Sequence, residues 1–214
     1  MGSTFLIADD HVIVRRGLRN LLHDRFHASD IQEAATCQEL LEKLANITPQ
    51  PQLLVLDLQM TDGSALDHLE RICTDHPGMR VLVYSMRSEQ VYAQRVIALG
   101  AAGFISKESE EEEVVRAIRL IMQGKGYRSS AVEEHLQGLK GSEAVSLDPF
   151  GVLSHREIGV MEDLLEGLGT KAIAVRLGVQ PSTVATYKSR LFEKLGVTNV
   201  LDLQRLVAAH RHDV

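Results

Sequence analysis

Leu53-Leu54-Val55-Leu56-Asp57 is the stretch from which the rest of the chain can be read. Four consecutive apolar residues leave no polar face, so the segment predicts a strand buried on both sides, as in a parallel sheet covered by helices. An aspartate closes it. The pattern repeats in both directions: Phe5-Leu6-Ile7-Ala8 ends in Asp9-Asp10, Val81-Leu82-Val83-Tyr84 ends in Ser85, and Gly103-Phe104-Ile105-Ser106 ends in Lys107. A fifth run covers 31–35. Helical patterns separate these runs over 12–25, 37–45, 65–75, 89–99 and 110–123. In the last, Val114, Ala117, Ile118 and Ile121 recur at i, i+3, i+4, i+7, and the acidic run at 110–113 opens the helix where its dipole favours negative charge. This alternation predicts repeated βα units around a parallel sheet. Ligands of such sheets bind beyond the carboxyl ends of the strands, where strand order reverses. Three carboxylates, a hydroxyl and a lysine are therefore expected in one cleft.

That set suits a divalent cation and a phosphoryl group. Mg2+ prefers oxygen ligands and keeps several waters. Asp10 and Asp57 can each supply a carboxylate oxygen, and Asp9 can hold a coordinated water. Close carboxylates without a cation would repel. With one present, Asp57 can act as nucleophile and form an acyl phosphate, Lys107 can neutralise the new charge, and Ser85 can hydrogen-bond a phosphoryl oxygen. Singly, each has a plainer reading: Asp9-Asp10 at a helix start, Lys107 in a solvated turn, Ser85 as a cap. Their joint placement at successive strand ends favours the site. His11 is read as a helix-start residue at the cleft rim.

The chain has 214 residues, with 24% charged and 44% apolar, the balance of a soluble globular protein. It lacks a run of eighteen apolar residues and a signal-peptide pattern, so a cytoplasmic location with no membrane partner is expected. Cys37 and Cys73 form no CxxC pair and read as reduced thiols. Net charge is −5 over 1–125, −2 over 126–149 and +1 over 150–214. A near-neutral last third is a weak footprint for nucleic acid, so local placement has to make that case.

Periodicity is lost over 125–149, where glycine, serine and proline crowd together, apart from a short helix considered at 131–139. The reading is a first domain at 1–124, a linker at 125–149 and a second domain at 150–214. Helical structure resumes at Ser154-His155-Arg156-Glu157, a capping-box pattern, with an apolar stripe at Ile158, Met161, Leu164, Leu165 and Leu168. Thr170 is expected to cap a short helix through Leu177, with Gly178 as its left-handed end. Pro181 then opens a helix to Leu195 that stops at Gly196. A last helix is expected from Asn199 to His210. Helix, tight turn and helix over 170–195 form the geometry that lays a second helix in a major groove. Val184, Tyr187, Leu191 and Leu195 are expected inward. The DNA-facing set is Lys171, Ser182, Thr183, Ala185, Thr186, Lys188, Ser189, Arg190 and Lys194. Thr186 and Ser189 would contact bases, and Lys171, Lys188, Arg190 and Lys194 would reach phosphates. The final helix, through Leu203, Leu206 and Val207, is expected at a dimer contact.

Asp9-Asp10, Asp57, Ser85 and Lys107, in this order and register, resemble the receiver domain of two-component response regulators over 4–123. The resemblance implies an α/β flavodoxin-like receiver with a five-stranded parallel sheet of order 2-1-3-4-5, phosphorylated on Asp57 by a sensor histidine kinase. It also implies Mg2+ held by Asp10, Asp57 and the backbone carbonyl of Gln59, and makes Phe104 the aromatic switch residue. One departure stands out: Asp57-Leu58-Gln59-Met60-Thr61-Asp62-Gly63 lacks the family's proline and about two residues before the glycine. Residues 150–210, through Leu153-Ser154-His155-Arg156-Glu157 and Thr183-Val184-Ala185-Thr186-Tyr187-Lys188, resemble the LuxR-type domain, implying a small four-helix helix-turn-helix unit. The whole chain thus resembles a NarL/FixJ-type response regulator, leaning toward the branch of the virulence regulator BvgA and the fimbrial regulators. Ala185 stands where a lysine is common, which implies an unlike operator. The implied partners are double-stranded promoter DNA, a second copy of the chain and, as a further candidate, RNA polymerase. The expected role is a transcription factor and not an enzyme. Two alternatives stay open: a Mg2+-dependent phosphatase, although Gln59 stands where such enzymes carry a second aspartate, and a receiver that binds partners without being phosphorylated.

Overall fold

The computed structural model describes residues 4–87, 89–129, 150 and 152–212. The chain divides into two compact units, 1–132 and 133–214.

In the first unit, β1 (Thr4–Ala8), β2 (Asp30–Ala34), β3 (Leu53–Leu56), β6 (Arg80–Ser85) and β7 (Gly103–Ser106) form one parallel sheet of order β2-β1-β3-β6-β7. Counting only these five strands, that is the expected 2-1-3-4-5. Two short strands, β4 (Gln59–Met60) and β5 (Gly63–Ser64), make a separate antiparallel ribbon. Helices α1 (Val12–Phe26), α2 (Cys37–Asn46), α3 (Leu66–Asp75), α4 (Glu89–Ala98) and α5 (Glu111–Met122) connect the strands. β1 and β3 are buried throughout, which is why they carry continuous apolar runs, whereas the edge strand β2 is polar and half-exposed. Phe5, Ile7, Leu53, Val55, Leu82 and Ile105 pack on one face against Leu18 and Leu22 of α1 and Val114, Ile118 and Ile121 of α5. The register pairs Ala8 with Leu56, Leu56 with Val83 and Ser85 with Ser106, which brings the carboxyl ends of four strands level.

The expected linker opens on residues that pack against the first unit. Residues 125–129 belong to the first unit: Tyr127 is 1% exposed, its N–H donates to Ala102 O at 2.8 Å, and it bridges Gly103 in parallel register. Its hydroxyl donates to Glu113 at 2.5 Å. A single aromatic inside a glycine-rich stretch has no periodicity to announce it. The rest of the expected linker, 130–149, with the short helix considered at 131–139, lies outside the described residues.

The second unit contains α6 (His155–Leu165), α7 (Thr170–Leu177), α8 (Pro181–Leu195) and α9 (Val200–His212). The capping box at Ser154 and Glu157 is present, and Gly178 and Gly196 end α7 and α8 in the left-handed conformation. Two expectations change. Gly169, not Thr170, occupies the N-cap of α7, so the threonine is the first helical residue and makes no cap bond. Leu203 and Val207 of α9 are buried at 0% and 9% exposure in the unit's own core, so they are not a free dimer face, whereas Leu201 is exposed.

A side chain at Gly103 would meet Tyr127 O at 2.9 Å, whereas one at Gly17, inside α1, meets nothing within 4 Å. Gly103→Ala should destabilise the first unit by about 1–3 kcal/mol, and Gly17→Ala should stabilise it by about 0.5–1 kcal/mol through helix entropy. Urea unfolding of both variants checks the opposite signs.

Candidate functional site

Asp57 leaves the end of β3 with its backbone N–H bound to Ala8 O at 2.8 Å, which fixes it beside the end of β1. Its side chain is nearly closed off from solvent. Ser85 Oγ donates to Asp57 Oδ1 at 2.6 Å, and Lys107 Nζ donates to Asp57 Oδ2 at 2.7 Å. The same ammonium lies 2.6 Å from Asp9 Oδ2, while Asp9 Oδ1 accepts from the His11 backbone N–H at 2.8 Å. The structure thus brings Asp9, Asp10, Asp57, Ser85 and Lys107 together. Burial would lower the Lys107 pKa, but Asp57 and Asp9 outweigh it and hold the ammonium above its ordinary value. A charge-assisted pair of this kind stays intact at neutral pH.

Oxygens of Asp9, Asp10 and Asp57 and a ring nitrogen of His11 lie within 4.8 Å of one another. Asp9 Oδ2 and Asp10 Oδ1 are buried oxygens whose near neighbours are the Lys107 ammonium and the His11 ring, and each keeps a lone pair for a further ligand. A set of hard carboxylates with spare lone pairs fits Mg2+. His11 sits at the N-cap of α1, as expected, and its ring nitrogen lies 2.7 Å from Asp10 Oδ1.

Gln59 opens β4. Its N–H donates to Asp57 Oδ1 at 3.3 Å, and its side-chain oxygen accepts from Arg87. The short loop after Asp57 therefore closes as the β4–β5 ribbon, and Asp62 at its turn accepts from the Cys37 and Gln38 backbone N–H groups at 2.8 and 2.9 Å. That carboxylate caps α2 from another element, a role its own neighbours in sequence do not announce. Burial and Asp62 push the Cys37 thiol up to about 12, and burial pushes Cys73 up to about 11, so both are free neutral thiols. Phe104 is 1% exposed, inward beside β6, while Ser85 already lies on Asp57.

On α8, Val184 and Leu191 are fully buried, and Ser182, Ala185, Thr186, Ser189 and Arg190 are exposed. Thr183 and Lys188 are half-buried at its edges, and Lys171 is exposed on α7. Thr186 Oγ1 donates to Ser182 O at 3.0 Å, which spends its proton on its own helix and leaves lone pairs and a methyl outward. Lys188 Nζ lies 5.3 Å above the Phe192 ring. Lys194, expected among the phosphate contacts, is partly exposed, and its Nζ donates to Glu157 Oε2 at 2.7 Å. Glu157 is 2% exposed, and burial would raise its pKa, yet Lys194 and the Ser154 N–H hold it below its ordinary value. Arg176 makes a comparable link, 3.0 Å from Asp163 and 2.6 Å from Glu166. Periodicity gave no sign of either pair, because the partners lie on different helices.

Removing Lys107 leaves two buried carboxylates facing each other. Lys107→Met should cost about 3–5 kcal/mol in EDTA, and added Mg2+ should recover more stability in the variant than in the parent chain. Urea unfolding with and without Mg2+ measures both.

Comparison with known proteins gives two family matches: the response regulator receiver domain over residues 5–119, and the bacterial regulatory proteins of the luxR family over 151–207. The chain is 29% identical over 205 residues to the response regulator GacA of Pseudomonas viridiflava, covering 96% of this chain and 95% of that one. It is 31% identical over 205 residues to the oxygen regulatory protein NreC of Staphylococcus aureus, covering 92% and 93%. Among solved structures, the RcsB response regulator of Salmonella typhimurium superposes with a TM-score of 0.71 at 22% identity, covering 98% of each chain. RcsB bound to promoter rprA in the presence of phosphomimetic BeF3- gives 0.66 at 23% identity, covering 95% and 96%. At these identities the structural likeness speaks for the fold.

Proposed function

Because this chain belongs to the NarL/FixJ family of response regulators, with a receiver and a LuxR-type DNA-binding domain, we propose that phosphorylation of Asp57 by a sensor histidine kinase switches its binding to promoter DNA. The observation that carries the reading is the Asp57 carboxylate, held between the Ser85 hydroxyl and the Lys107 ammonium beside two further aspartates. Mg2+ on Asp9, Asp10, Asp57 and the Gln59 carbonyl would screen the incoming phosphoryl charge. Asp57 attacks the phosphorus, a phospho-histidine or acetyl phosphate loses its phosphoryl group, and an acyl phosphate forms. Lys107 then holds one phosphoryl oxygen and Ser85 donates to another. Phe104, already inside the fold, fills the space beside the serine. Cytoplasmic residence follows from this role. Among the described residues no helix is long and apolar enough to cross a membrane.

In the second domain, Lys171, Lys188 and Arg190 are the proposed phosphate contacts, and Ser182, Thr183, Ala185, Thr186 and Ser189 line the proposed base-facing surface of α8. Lys194, whose ammonium pairs with Glu157, is proposed outside this phosphate set. Two copies of the chain would read two half-sites, since two-fold protein symmetry matches near-palindromic DNA. RNA polymerase is a proposed further partner.

Asp57→Asn keeps the side-chain shape and removes the nucleophile, so incorporation of phosphate from labelled acetyl phosphate in Mg2+ should disappear. Label retained by the variant would place the chemistry on another residue. Arg190→Ala should weaken binding to all duplexes alike and lower the salt slope by about one. Thr186→Ala or Ser189→Ala should cost roughly 1–3 kcal/mol on the preferred site alone. Titration of preferred and random duplexes across a salt series separates the two classes.

A further inference from the structure

The fully buried residues of α8, Val184 and Leu191, lie on one apolar stripe, and such contacts attract without fixing rotation or register. The contacts with directional chemistry are different. Glu157 is the third residue of α6 and is 2% exposed, and its Oε2 accepts from the Ser154 N–H and from Lys194 Nζ, each at 2.7 Å. Lys194 belongs to the last turn of α8, two positions before the left-handed Gly196. At the other end of α6, Asp163 is fully buried and lies 3.0 Å from Arg176, in the last turn of α7. One helix thus carries a charge clamp for each helix of the helix-turn-helix.

We infer that Glu157 and Lys194 are positioning residues for DNA reading: the pair sets the angle at which α8 presents Ser182 to Ser189. The inference rests on the reading of α8 as the DNA-facing helix. Base-edge hydrogen bonds tolerate little misplacement, and the residues that would make them lie about five to twelve positions before Lys194, centred roughly 12 Å along the helix. A tilt of about 10° at the clamp would move them by roughly 2 Å. The pair is buried on its carboxylate side and open at Lys194, and such a pair adds little net stability because desolvation offsets the Coulomb attraction; fixing one geometry is a use that charged pairs serve in some folds. With its ammonium on Glu157, Lys194 is assigned no phosphate in this proposal, so its removal should leave the counterion count unchanged.

The test uses the full chain and a duplex selected from a random pool by the parent protein. Glu157→Gln keeps an acceptor for the Ser154 N–H but takes the charge from Lys194. Lys194→Met removes the donor while keeping the apolar stem, and Lys194→Arg keeps the pair. Thermal unfolding is measured alongside affinity for the selected and the random duplexes across a salt series. The first two variants should lose about tenfold in the ratio of selected to random affinity with an unchanged salt slope, and Lys194→Arg should retain it. A ratio unchanged in variants with lowered melting temperatures makes the pair merely structural and overturns the proposal. A salt slope lowered by about one in Lys194→Met, with both duplexes weakened alike, makes Lys194 a phosphate contact and overturns it too. If the parent chain selects no duplex, the DNA-facing reading of α8 itself fails.

Discussion

One ammonium shared by two buried carboxylates holds the first domain's site together. Asp9 and Asp57 stand at the ends of adjacent strands, both nearly closed off from water, and Lys107 reaches both from the sheet's far edge. Without that cation the carboxylates would repel and raise each other's free energy. A parallel sheet makes the arrangement possible, because its strands all end on the same side. Residues about fifty and a hundred positions apart then arrive within hydrogen-bond distance. Ser85 arrives by the same geometry. A carboxylate, a hydroxyl and an ammonium are therefore fixed in one place, and the phosphorylation we propose for Asp57 would have little reorganisation left to supply.

The second domain uses buried charge for another end. Glu157 and Asp163, both on α6, each take a cation from a different helix, while the apolar stripe through Ile158, Met161, Val184 and Leu191 supplies the bulk of the packing. Ser182, Ala185, Thr186 and Ser189 on the outward side of α8 are small, which in the proposed docking would let its backbone approach a groove closely. The two domains share a device, a carboxylate hidden from water and held by a cation, applied in one to chemistry and in the other to placement.

Much of this was legible in the chain itself. Strands buried on both faces must be apolar throughout, and polar residues at their ends are visible against them, so Asp57, Asp9, Ser85 and Lys107 could be named before any coordinates. Helix ends were readable wherever a local signal exists, as at Ser154, Gly178, Pro181 and Gly196. Interactions between distant segments were not. Asp62 caps a helix that begins 25 residues earlier, Tyr127 docks on a strand across α5, and Lys194 finds Glu157 at a separation of 37. A periodic pattern reports which face of an element is buried and says nothing of which partner meets it. Leu203 and Val207 show the same limit: their spacing marks a buried face, and only the fold shows that the domain's own core covers it.

The account's central claim is that the phosphoryl state of Asp57 controls DNA binding. The most direct measurement is the affinity of the full chain for its selected duplex, with and without acetyl phosphate in Mg2+, in the parent and in Asp57→Asn. The account predicts that the phosphodonor changes the parent's affinity several-fold and leaves the variant's affinity fixed. An equal response in both proteins, or none in a parent shown to carry the acyl phosphate, would contradict it.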